Sequence, residues 1–113
     1  MTEVPAMFAL THDAKAIEVV SPTCKFEGDL PHFEQFPING PTGATPGILR
    51  YTSDNPPSGP ATGHFSTSPD KHLTIKFTPQ GQTSPVIATW SSLPILDVSV
   101  WDNKSSNGEW TPE

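Results

Sequence analysis

Fourteen prolines punctuate this 113-residue chain and leave only 6–21 and 95–111 as long proline-free windows. A proline inside a helix removes a hydrogen bond, clashes with the preceding turn and costs about 3 kcal/mol. Helix is thus strongly limited, and the fold must be assembled from short extended segments. The clearest is His72-Leu73-Thr74-Ile75-Lys76-Phe77-Thr78. Leu73, Ile75 and Phe77 share one side; His72, Thr74, Lys76 and Thr78 share the other. That two-residue period marks a strand buried on one face. Further strands are predicted at 7–11, 16–20, 25–27, 48–52, 64–67, 86–90 and 96–101. Residues 14–20 also read as a short helix capped by Asp13, but β-branched Ile17, Val19 and Val20 favour strand.

Turn signals separate these runs: Ser68-Pro69-Asp70, Pro79-Gln80-Gly81, Ser91-Ser92-Leu93-Pro94 and Asn107-Gly108. Seven or eight short strands at this spacing predict an all-β chain, an antiparallel β-sandwich or small β-barrel with little or no helix. One domain spanning 1–113 is expected. Two Pro/Gly-rich loops, 37–47 and 54–63, flank the strand at 48–52. Long structured loops on a small β domain often carry binding function. Leu, Ile, Val and Phe occupy only 24 positions, so the core is thin. Burial between subunits would supplement it, and a homo-oligomer is expected.

Charge narrows the partners. The net charge is −6 at pH 7, and six Lys/Arg are spread thinly. Phosphate neutralisation needs a basic face, so neither nucleic acid nor an anionic membrane surface is an expected partner. No apolar run approaches the ~20 residues that span a bilayer. The N-terminal MTEVPAMFALTHDAK lacks the basic and apolar regions of a secretory leader. With a single cysteine, Cys24, a cytoplasmic setting is the simplest expectation. Cys24 reads as a small buried hydrophobe. Asn103-Lys104-Ser105 matches a glycosylation acceptor that only a secreted chain would use.

The C-terminal stretch VSVWDNKSSNGEW (98–110) holds two of the three tryptophans among amides, hydroxyls and carboxylates. Alternation through 96–101 sends Leu96, Val98 and Val100 inward and Asp97, Ser99 and Trp101 outward. An outward indole has three readings: packing under a loop or tail, a subunit interface, or stacking on a ligand. Two hairpin registers compete for the segment after Trp101. A turn centred on Asn107-Gly108 sets Trp110 opposite Ser105. A turn centred on Ser105-Ser106 sets Trp101 opposite Trp110 and Asp102 opposite Glu109.

Reaction chemistry leaves little trace. Asp102–Glu109 fails as a calcium loop, because Lys104 and Asn107 occupy its third and sixth positions. His12, His32, His64 and His72 show no close ligand spacing, and no metal or cofactor is predicted. Residues 27–34 cluster Glu27, Asp29 and Glu34 with His32, a possible general acid or base but more often a solvated loop. Nucleophile-elbow, phosphate-loop and dinucleotide patterns are absent.

The expectation is therefore a small lectin-like domain binding a glycan or other small ligand. Trp101 and Trp110 would stack on the apolar C–H face of a sugar, and Asp102, Asn103, Asn107 and Glu109 would bond its hydroxyls. The alternatives are a structural or assembly subunit, such as a virion-decorating protein, and a small barrel enzyme on an apolar substrate using His32 or Glu34.

Overall fold

The computed structural model describes residues 2–10, 16–29, 45–52, 55–67, 72–92 and 102–112. They form eight strands: β1 (Thr2–Leu10), β2 (Ala16–Val20), β3 (Cys24–Asp29), β4 (Thr45–Tyr51), β5 (Gly59–Thr67), β6 (Leu73–Pro79), β7 (Ala88–Ser92) and β8 (Ser105–Pro112). Every neighbouring pair is antiparallel, and the sheet closes on itself in the order β1-β2-β3-β8-β5-β6-β7-β4. The all-β expectation holds, in its barrel form, and no helix occurs among the described residues. Closure leaves no unpaired edge for another chain to extend.

Alternation decides what fills the barrel. Leu73, Ile75 and Phe77 point inward, as their spacing requires, and all three are fully buried. Aromatic rings from other strands join them. Phe8 packs between Phe65 and Trp90, with centroids 5.9 and 5.4 Å away. Phe26, Phe77 and Trp110 form a second group with separations of 4.8–5.4 Å. Such tilted contacts suit the ring quadrupoles. Large rings need small neighbours. Gly63 lies opposite Phe77 across β5–β6, and Ala88 lies opposite it across β6–β7. A Cβ on Gly47 would sit 2.7 Å from the Trp90 ring and collide with the Ser91 carbonyl. Cys24 is buried and free, as a small hydrophobe would be.

The β2–β3 hairpin is closed locally. Ser21 N–H donates to Cys24 O at 3.0 Å, and Ser21 Oγ receives the Cys24 N–H at 3.1 Å. Pro22 occupies the second turn position, where its fixed φ is favoured. The turn expected at 79–81 also forms: Gln82 N–H donates to Pro79 O at 3.0 Å, with Gly81 at φ 78°. A positive φ at the third turn position is the type II requirement that glycine meets.

Several boundaries differ from expectation, and proline explains most of them. Of the loops read at 37–47 and 54–63, residues 45–47 belong to β4 and 59–63 to β5, while 37–44 lie outside the described residues. Pro5, Pro46 and Pro60 all lie within strands with exposed side chains. Proline's φ fits an extended chain, and its loss is one ladder hydrogen bond. The strand read at 86–90 runs instead from Ala88 to Ser92. Ser92 is buried there, its Oγ receiving the Leu73 N–H at 2.8 Å. Neither hairpin register at the C-terminus occurs, since β8 runs unbroken through Asn107-Gly108 between β3 and β5. The chain bends earlier, at Asp102-Asn103, where Asn103 takes φ 63°. The strand read at 96–101, including Trp101, lies outside the described residues.

The two described indoles differ in one respect. Trp90 Nε1–H donates to Ala6 O at 3.1 Å, whereas buried Trp110 Nε1 has no acceptor among the described residues. Replacing Trp90 by Phe sacrifices that bond; replacing Trp110 by Phe removes an unsatisfied donor. We expect Trp90→Phe to destabilise more than Trp110→Phe by about 1–3 kcal/mol in urea unfolding. Equal losses, or the reverse order, would contradict this assignment.

Candidate functional site

Among the described residues, the outer face of the β3–β8–β5 region presents polar side chains around a groove. Along β3, Cys24, Phe26 and Gly28 are buried, so Lys25, Glu27 and Asp29 face out. Along β8, Ser106 and Trp110 are buried, which turns Asn107 and Glu109 outward. Register then sets Glu27 directly opposite Glu109, and Glu18 of β2 opposite Glu27.

Gly28 and Gly108 also face each other across β3–β8. A Cβ on Gly28 would lie 2.8 Å from the Phe26 ring, and one on Gly108 would collide with the Glu27–Gly28 backbone. The strands approach this closely because both positions lack a side chain. Ser106 Oγ–H ties the same region by donating to Asp29 O at 2.5 Å. Over these glycines lies an open groove of about 390 Å³. Glu27, Asp29 and Glu109 line it with carboxylates, while Asn107, Gln80 and Pro60 bring an amide pair and an apolar ring. Its volume falls within the ~300–1,000 Å³ of small-molecule sites, but its open shape suits contact with one face of a ligand.

The electrostatic sign is clear. Like charges directly opposed across strands repel. Lys25 Nζ relieves part of this, lying 3.5 Å from Glu18 and 3.6 Å from Glu27. These pairs are partly exposed and worth little, about 0–1 kcal/mol each. The groove therefore repels anions and tolerates neutral or cationic ligands.

Not all the residues singled out from sequence meet here. Asn107 and Glu109 do. Trp110 is 1% exposed, packed between Phe26 and Phe77, and offers no free face for stacking. Asp102 and Asn103 sit beyond the opposite end of the β5–β8 ladder and shape the chain there. Asp102 Oδ1 receives the Thr67 N–H at 3.1 Å, and Asn103 N–H donates to Phe65 O at 3.1 Å. Trp101, His32 and Glu34 lie outside the described residues. Among the described residues no group of three or more His, Cys, Asp or Glu is arranged to hold a metal ion.

In the sequence Glu27 and Asp29 belong to an acid–histidine segment, Pro60 to the Pro/Gly-rich loop read at 54–63 and Gln80 to a turn. The signal that unites them is the pairing of residues 24–28 with 108–112, which no local pattern encodes. No protein-family model, curated protein or solved structure matches the chain.

Gly108→Ala tests the construction of the groove floor. We expect a loss of about 1–3 kcal/mol in urea unfolding, the usual cost of overpacking. An unchanged midpoint would mean that β3 and β8 are not held as closely as described.

Proposed function

We propose that this barrel is a carbohydrate-binding domain whose ligand lies in the β3–β8–β5 groove. The observation that carries the reading is one open groove in which carboxylate acceptors (Glu27, Asp29, Glu109) stand beside carboxamides (Asn107, Gln80). Sugar hydroxyls both donate and accept, so a mixed lining can pair with adjacent hydroxyls where a lining of one kind cannot. Pro60 adds an apolar surface for C–H groups, taking the part first expected of Trp110. Binding of this kind orients and holds a sugar without a reaction. The acidic row selects neutral or amino sugars over uronic acids.

The test is a titration of the ¹⁵N-labelled protein with glucose, glucosamine and glucuronate. Backbone amides of 27–29 and 107–109 should shift with glucosamine and glucose, and not with glucuronate. Glu109→Gln should weaken the glucosamine response several-fold and leave that to glucose nearly unchanged. Absence of any shift, together with no binding on a glycan array, would remove the reading.

A second reading, as an assembly subunit, is favoured by a different surface. Outward residues Val20, Met7 and Pro46 are aligned across β2, β1 and β4, with Pro5 opposite Ile48 beside them. Met7 and Val20 are 41% and 36% exposed, and Pro5 and Pro46 are exposed as well. A contiguous apolar patch on a barrel wall is a typical subunit contact. If copies associate through it, light scattering should report a mass above monomer that Met7→Glu lowers. A monomeric parent chain at high concentration would exclude the second reading.

A further inference from the structure

We infer that Thr62 is the positioning residue of this groove, setting which end of the Asn107 amide a ligand meets; the inference rests on the carbohydrate reading. Thr62 faces outward from β5 but is only 7% exposed, sheltered beside the turn that leads out of β6. Its hydroxyl makes two bonds at once. Gly81 N–H donates to Thr62 Oγ1 at 3.1 Å, and Thr62 Oγ1–H donates to Asn107 Oδ1 at 2.6 Å. The shorter distance suits O–H···O and falls below the usual ~2.7–3.2 Å of an amide N–H donor. The amide is therefore held with its oxygen toward Thr62, which leaves the Nδ2 donors for the groove that Asn107 lines. The first bond anchors the Gln80-Gly81 turn, so the same hydroxyl also sets the Gln80 wall.

The consequence is chemical. When ionised, Glu27, Asp29 and Glu109 can accept hydrogen bonds but not donate them. Asn107 turned the other way would add another acceptor, and a sugar hydroxyl would find no donor from that residue. With Thr62 in place, the groove offers a donor beside acceptors. That arrangement matches two adjacent hydroxyls, one accepting from Nδ2 and one donating to carboxylate.

Three variants test the inference: Thr62→Val, Thr62→Ser and Asn107→Asp. Thr62→Val keeps the shape and removes both bonds. It should move the Asn107 side-chain NH₂ resonances, speed Gly81 amide exchange and weaken glucosamine binding about tenfold, the value of roughly one strong hydrogen bond. Thr62→Ser keeps the hydroxyl and should restore all three readouts, which a purely structural role for the methyl group would not do. Asn107→Asp should lose glucose binding with Thr62 intact, because its donor end is gone. If Thr62→Val leaves the Asn107 NH₂ and Gly81 amide signals unchanged, the inference is overturned whether or not sugars bind. If the parent protein binds none of the sugars while those two signals respond as expected, the carbohydrate reading fails and the positioning role of Thr62 stands.

Discussion

The fit of large rings against missing side chains inside the barrel is the constraint on which everything else rests. Trp90 occupies space that a Cβ at Gly47 would fill, and Phe77 stands between Gly63 and Ala88. A chain with only 24 Leu, Ile, Val and Phe residues cannot fill an eight-stranded interior by number. It does so by volume, with two buried tryptophans and four buried phenylalanines among its core residues. Full burial of each such ring contributes roughly 1.5–3 kcal/mol or more. Many barrels of this strand number keep a ligand cavity at the centre. Here Phe8, Phe26, Phe65, Phe77, Trp90 and Trp110 fill that space, and the described groove lies on the outer wall.

That wall is shaped by hydroxyls and glycines. Thr62 and Thr78 point away from the core yet are buried, because the chain leaving β6 lies across them. Thr78 Oγ1–H donates to Gln82 O at 2.7 Å, so its oxygen receives from His64 Nε2 at 3.0 Å. Thr62 repeats the device with Gly81 and Asn107. Two threonines thus fasten one turn to the barrel and define a side of the groove. Gly28 and Gly108 define its floor by letting two backbones approach. The groove arises from how the wall is fastened, and its acidic lining is what the register of β2, β3 and β8 brings together.

Legibility from sequence varied with how local the information is. The strand at Leu73–Pro79 was legible because its apolar positions alternate without exception. Ala16–Val20 was legible through its β-branched residues. In β8 the signal is missing: Ser106 and Gly108 face inward while Asn107 and Glu109 face out, and all four are polar or small. There the Asn-Gly pair argued for a turn that two flanking strands override, since ladder bonds on both sides outweigh a local preference. Pro46 and Pro60 misled in the same sense, each looking like loop while occupying a strand.

By itself the sequence determined that the ordered elements are strands with little helix, which side of the best-patterned strands faces inward, and that the net charge is negative. Proline's geometry, the two-residue pleat and the count of ionisable groups dictate these features, and none of the three needs a distant partner. Only the tertiary structure decided that β8 lies between β3 and β5, that Trp110 is interior, and that Glu27, Asn107 and Glu109 share one groove with Pro60. Those outcomes depend on which strands become neighbours around a closed sheet. Complementary side-chain volumes across the whole barrel select that arrangement, and segments as far apart in sequence as β3 and β8 cannot announce it locally.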